Sequence, residues 1–187
     1  MRPAIIVDGQ MEQRIVQQIC PGLPVRLLNC NGKCVEVEAI VKRVASHQRL
    51  LKCCFPVVVV IDREERIPSA EDFRDEIVAG LGVECPGIDI RVVVCDRMTE
   101  NWMLADAASL GNGEFDINKV PVETEGIHGK NAIGRCLPDG RRYHETTDGV
   151  DMFLKCRPER ISRRSASFRN LISALEGIPC DWLIESR

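Results

Sequence analysis

Along the first 110 residues two textures alternate: short continuous apolar runs that end in an acid, and longer stretches with apolar residues at helical spacing. "AIIVDG" (Ala4 to Gly9) is the first run, closing on Asp8 and a glycine as a buried strand and its exit turn require. In "MEQRIVQQIC", Ile15, Val16 and Ile19 share a helix face before "PG" stops it. "VRLLN" (Val25 to Asn29) reads as a second strand, with "NGK" as its turn. Between Val35 and Cys53, the positions Val37, Ile40, Val41, Val44 and Leu51 mark an amphipathic helix with basic residues opposite. "FPVVVVID" is apolar without alternation, the pattern of a parallel strand covered by helices on both faces. Ser69-x-x-Asp72 caps a helix in which Phe73, Ile77, Val78 and Leu81 share a face. "IDIRVVVCD" (Ile88 to Asp96) is a fourth strand, and "TENWMLADAASL" a helix with Thr99 as its expected cap.

Strands separated by helices predict an α/β fold, a doubly wound, mostly parallel sheet flanked by helices. Such sheets hold ligands outside the carboxyl ends of their strands, near a switch in strand order. Asp8, Asp62 and Asp96 fall at three such ends. After Leu110 turn residues dominate until "RISRRSASFRNLISAL", a helix with Phe168, Leu171, Ile172 and Leu175 spaced to dock on the core. The expected organisation is a core over 1–110 and a loop-rich extension over 111–187 packed on it as one domain.

Composition narrows the partners. The chain has 187 residues, 44% of them hydrophobic and 28% charged, enough for one globular domain with a sizeable core. With 25 basic against 28 acidic residues there is no global field to collect nucleic acid, so any such binding needs a local patch. No apolar run approaches the ~20 residues of a membrane span, and "MRPAIIVDGQ" lacks signal-peptide features, so a cytoplasmic protein is expected. The 10 cysteines include no CxxC pair; the nearest approaches to zinc-ligand spacing are Cys30-x-x-x-Cys34 and the adjacent Cys53 and Cys54. A disulfide scaffold belongs to smaller secreted domains, so most of the cysteines are expected to be small buried hydrophobes.

The stretch "VVVVIDREER" (Val57 to Arg66) carries the main chemical signal. Residues two apart in a strand face one side, so Asp62 and Glu64 converge if extended geometry persists past Ile61. Joined by Asp8, or by Glu12 one helical turn beyond it, they make a hard oxygen site suited to Mg²⁺ or Mn²⁺. Glu65 and Arg66 read as surface. Glu100 opens a helix beyond the fourth strand, placed either to join the cluster or simply to favour a first helical turn. A receiver domain would need an acidic pair after the first strand, and a dinucleotide fold a GxGxxG there; neither is present.

Taken in order, "VDGQMEQ", "VVVVIDREE" and "TENWMLAD" resemble the Toprim fold, the metal-binding module of topoisomerases, bacterial primases and the OLD nucleases. The chain is most similar to short bacterial Toprim-like proteins of unknown function, often linked to phage defence. Those carry "VEGQTE", "DRE", "E-x-W-L-x-AD" and "R-S-x-SF", matched here by Asp8 to Glu12, Asp62 to Glu64, Glu100 to Asp106 and Arg164 to Phe168. Asp8 stands where the family pattern has glutamate, and Glu64 where it has a second aspartate.

The resemblance implies metal-dependent phosphoryl transfer, foremost a nuclease cleaving phosphodiesters, with DNA ahead of RNA as substrate. It implies Asp62 and Glu64 as ligands of Mg²⁺ or Mn²⁺, with Asp8, Glu12 and Glu100 as further ligands, and Asp8 or Glu12 as general acid/base. Substrate phosphate needs positive charge near the acids, for which Lys130, Arg160, Arg163 and Arg164 are the candidates, with Arg141, Arg142 and His128 in neighbouring loops. The alternative is a catalytically degenerate interaction module that acts through a partner ATPase or nucleic-acid-binding subunit, in either case with an oligomer open.

Overall fold

The computed structural model describes residues 2–30, 35–111, 113–180 and 182; the "NGK" turn and Cys34 lie outside them. Four strands, β1 (Arg2–Val7), β2 (Val25–Leu27), β3 (Cys54–Asp62) and β4 (Ile90–Cys95), form one sheet in the order β2-β1-β3-β4, parallel throughout. The crossovers are helices α1 (Gln10–Ile19), α2 (Val37–Leu50) and α3 (Ala70–Glu84). From β1 the chain moves outward to β2, then returns across the sheet to β3, so the strand order switches between β1 and β3.

The unbroken apolarity of β1 and β3 follows from burial on both faces. Ala4, Ile6, Val57, Val59 and Ile61 pack against Ile40, Val41 and Val44 of α2 and Phe73, Ile77 and Leu81 of α3. Ile5, Val7, Val58 and Val60 face the other way, onto Met11, Ile15 and Ile19 of α1 and onto the C-terminal third. α3 starts as the sequence reading expects, with the Ser69 hydroxyl accepting from the Asp72 amide at 3.0 Å.

Beyond β4 come α4 (Glu100–Ala105), α5 (Ala107–Leu110), a short 3₁₀ turn (Ile117–Lys119), α6 (Gly129–Cys136), one π-helical turn (Glu145–Gly149) and α7 (Val150–Lys155). The single final helix expected from periodicity is two helices, α8 (Pro158–Arg164) and α9 (Ala166–Ala174). They break at Ser165, whose hydroxyl accepts from the Phe168 amide at 3.0 Å and so caps α9. Phe168 and Leu171 join the core shared with α1, and Trp102 meets Phe168 edge-on at 5.3 Å. Arg91 of β4 donates to the carbonyls of Ala174 and Glu176, fastening the C-terminal segment to the sheet.

The cysteines need one correction. Cys20, at the end of α1, is disulfide-bonded to Cys180 across a sequence separation of 160, a pairing that no local spacing announces. Cys30, Cys85, Cys95, Cys136 and Cys156 are buried thiols as expected. Among the described residues no helix is long and apolar enough to cross a membrane.

Candidate functional site

Val7 pairs with both Leu27 and Val60, so Asp8 and Asp62 leave adjacent strands one residue apart in register, at the switch in strand order. Asp8 is 2% exposed, and its Oδ1 accepts from the Cys30 amide at 2.9 Å. Asp62 is also buried, and its Oδ1 accepts from both the amide and the hydroxyl of Thr99 at 3.1 Å. Thr99 holds the N-cap position of α4 as expected, but its backbone is already helical and its side chain serves Asp62 instead of capping the helix.

Glu64 reaches the same place by another route. The strand stops at Asp62, and Glu64 takes a left-handed backbone at φ 57°, with its amide bonded to the Arg97 carbonyl at 2.7 Å. Extended geometry does not persist, yet Glu64 lines one cleft with Asp8, Glu12, Asp62, Glu100, Lys130 and Glu145. This cleft encloses about 280 Å³. Glu12 projects into it from the first turn of α1. Glu100 is fully buried at the start of α4 and accepts from the Tyr143 hydroxyl at 3.2 Å.

Lys130 arrives because α6 rests directly on α4. A Cβ at Gly129 would lie 2.7 Å from the Glu100 Cβ, so only glycine permits this approach. The Asn101 amide donates to the carbonyls of Thr124 and Ile127, holding the loop that leads into α6. On the far side Glu145, which sequence reasoning did not single out, meets the Lys130 ammonium at 2.9 Å.

Burial and crowding oppose ionisation of Asp8, Glu12, Asp62 and Glu100. Desolvation raises Asp8 to about 6 against the pull of the Cys30 amide, with Glu12 and Glu64 adding to the rise. Glu100 is raised by burial to about 7, although Lys130 pulls it down. Burial pushes Glu12 up as well. Asp62 lies well above the ordinary carboxylate range, first through desolvation and then through the charges of Glu12, Glu100, Asp8 and Glu64. Two oxygens, Asp8 Oδ2 and Glu100 Oε2, are buried with no hydrogen-bond partner.

The rest of the charged stretch has other work. Arg66 is buried, contrary to its reading as surface. Its guanidinium donates to the carbonyls of Asp62, Arg63 and Val35 and lies 4.5 Å above the Phe73 ring, clamping the turn after β3. Arg63 pairs with Asp96 at 3.0 Å, so the third strand-end acid is neutralised outside the cleft. Glu65 is exposed and pairs with Arg97 at 3.3 Å.

The candidate phosphate-binding arginines do not gather at the acids. Arg160 lies 3.7 Å from Asp106, Arg164 bonds the carbonyls of Ala105 and Val122, and Arg163 is exposed on α8; none lines the cleft. Arg141 pairs with Glu114 and Asp148, and the His128 ring caps α6 through the Asn131 amide. The "RSASF" stretch binds a carboxylate of the chain itself. Glu125 accepts from the Ser165 hydroxyl at 2.7 Å, the Ala166 amide at 3.0 Å, and the Ser167 amide and hydroxyl at 2.9 and 2.5 Å. Burial of Glu125 works against its charge, but these donors outweigh it and lower its pKa.

No protein-family model matches the chain, and neither the curated proteins nor the solved structures contain a match to it. The site is therefore judged on its own chemistry. Its donors are hard carboxylate oxygens, the kind that hold Mg²⁺ or Mn²⁺, and the two unpartnered buried oxygens call for a proton or a cation. Among the described residues no three acid, histidine or cysteine side chains stand grouped to grip one ion. The acids line a cleft rather than converge on a point.

Proposed function

We propose that the protein is a divalent-cation-dependent phosphoryl-transfer enzyme of Toprim type, cleaving phosphodiesters. The observation that supports this best is the placement of Asp8, Glu12, Asp62, Glu64 and Glu100 along one cleft at the strand-order switch, with buried oxygens of Asp8 and Glu100 left unpartnered. The order of the "VDGQMEQ", "VVVVIDREE" and "TENWMLAD" motifs, which resembles the Toprim pattern, adds to it. Asp62 and Glu64 would hold Mg²⁺ or Mn²⁺, with Asp8, Glu12 and Glu100 completing the oxygen set. When bound, the cation supplies charge neutralisation at a phosphoryl oxygen and a more acidic water.

The chain's own groups do the rest. Thr99 fixes one Asp62 oxygen and leaves the carboxylate oriented by two donors. Glu12 sits one helical turn from Asp8 at the cleft wall, where it can accept a proton from an attacking water; burial raises its proton affinity. Lys130 is the cleft's source of positive charge for a substrate phosphate.

A second reading has a specific observation behind it. Arg160 and Arg164 are tied to the fold, and the charge around the cleft is acidic, so a nucleic acid would meet little attraction from this chain alone. A partner, such as an ATPase or nucleic-acid-binding subunit, would then supply the missing field, with the cleft catalytic or degenerate. The test is incubation with plasmid, single-stranded DNA and RNA at millimolar Mn²⁺ or Mg²⁺, beside Asp62→Ala and Glu64→Ala. Cation-dependent cleavage lost in both variants is expected. Absence of cation binding at millimolar concentrations would sink the enzymatic reading, whereas binding without cleavage would favour the partner-dependent one.

A further inference from the structure

Six carboxylates line the cleft, those of Asp8, Glu12, Asp62, Glu64, Glu100 and Glu145, and among the described residues Lys130 is the one basic side chain that lines it with them. We propose that the Lys130 ammonium is the cleft's built-in counter-ion, that it competes with a divalent cation for these carboxylates, and that cation binding releases it from Glu145 toward a substrate phosphate. This inference rests on the cation-dependent reading above.

Three observations carry it. The ammonium is 2.9 Å from Glu145 Oε1, and its charge also acts on Glu100 and Glu64, so it already does part of what a bound cation would do. The base of this side chain is held by the fold, while its head is held by the ion pair to Glu145. Gly129 seats α6 on Glu100, Asn101 holds the incoming loop, and Glu125 pins that loop to the start of α9. The side chain is 32% exposed, and its four-carbon stem has the rotatable bonds to move the ammonium from Glu145 without moving the helix. Finally, Glu100 is fully buried with Oε2 unpartnered, so Lys130 leaves a demand for positive charge that it does not meet. A dication entering there adds like charge beside the ammonium, and Coulomb repulsion in a desolvated cleft makes the two occupants compete.

The proposal separates two roles that a plain phosphate-binding lysine would not. Removing the charge should tighten cation binding while impairing turnover. By calorimetry with Mn²⁺ at pH 7.5, Lys130→Met is expected to bind at least about fivefold more tightly than wild type, the lower end of ordinary coupling between two sites. Lys130→Arg keeps the charge and is expected to stay close to wild type. In the wild-type chain, Mn²⁺ should accelerate reductive methylation of Lys130, read by peptide mass spectrometry, and leave the exposed Lys42 unchanged as internal control. If wild type binds Mn²⁺ but Lys130→Met binds it equally or more weakly, or if Lys130 becomes less reactive with Mn²⁺, the proposal is overturned and the cation site stands. If neither wild type nor Lys130→Met binds Mn²⁺, both fall together.

Discussion

Neutralising Glu100 should stabilise this protein, and the gain should depend on pH in a defined direction. Glu100 is fully buried, and its carboxyl is raised from an ordinary 4.5 to about 7, chiefly by desolvation. A carboxyl with higher proton affinity in the folded state stabilises the fold below its unfolded value and loses that contribution as pH rises through the folded one. At pH 8 wild type must bury the charge, at a cost of about 3 kcal/mol from 1.36 kcal/mol per tenfold change in proton affinity. Glu100→Gln keeps an oxygen to accept from Tyr143 and puts an amide where the unpartnered Oε2 stands, among carboxylate neighbours. Relaxation of the cleft reduces the benefit, so about 1–3 kcal/mol is expected, or roughly 3–10 °C in Tm for a chain of this size. Thermal unfolding followed by circular dichroism between pH 5 and pH 8, in chelator, measures it. The advantage should be greatest above pH 7 and shrink toward pH 5. A Gln variant no more stable than wild type at pH 8, or an advantage independent of pH, would refute the account of Glu100 as a charge buried at a cost.

Other expectations follow from the same contacts. Glu125→Gln removes the charge that four donors from Ser165, Ala166 and Ser167 converge on, and chemical denaturation should show a loss of about 1–3 kcal/mol. Arg66→Leu leaves the carbonyls of Asp62, Arg63 and Val35 without their shared donor; a stability loss of about 2 kcal/mol or more is expected, with weaker Mn²⁺ binding because Asp62 and Glu64 lose their common turn. A methyl group at Gly149 would collide with the Tyr143 hydroxyl and the Met11 sulfur. Gly149→Ala should therefore displace Tyr143 from Glu100, seen as altered intrinsic tyrosine absorbance and a lower Tm.

The parallel α/β fold was legible because its signals are local. Continuous apolar runs at β1, β3 and β4 and the Ser69 cap each sit within a few residues, and the sheet follows them. The strand-end acids Asp8 and Asp62 were legible for the same reason, since strand ends in such a sheet share one edge, whereas Glu145 was not. What stayed hidden was pairing between distant segments. Whether Asp96 faces the cleft depends on Arg63, 33 residues away, and whether Arg66 is surface depends on Val35, 31 residues away. The Cys20–Cys180 bond and the Lys130–Glu145 pair carry no periodic mark at all. Arginine-rich "RISRRSASF" misled because its charges suggested phosphate, while its serines are the working part and their anion is Glu125.

Those hidden pairings bear on why the cleft exists. The basic side chains of "DREER" serve the turn, Arg63 through Asp96 and the Arg66 carbonyl, and Arg66 through the carbonyls of Asp62, Arg63 and Val35. A fold under pressure only for stability would replace buried acids such as Asp8, Asp62 and Glu100, since burial raises their proton affinity and costs free energy at neutral pH. Instead the arginines hold the turn so that Asp62 and Glu64 line the cleft, and among the described residues Lys130 is the one basic side chain that lines it with them. An acidic cleft that keeps buried carboxylate oxygens of Asp8 and Glu100 unpartnered beside Lys130 is what the proposed cation-dependent reading requires, and loss of Mn²⁺ binding in Asp62→Ala is its direct consequence.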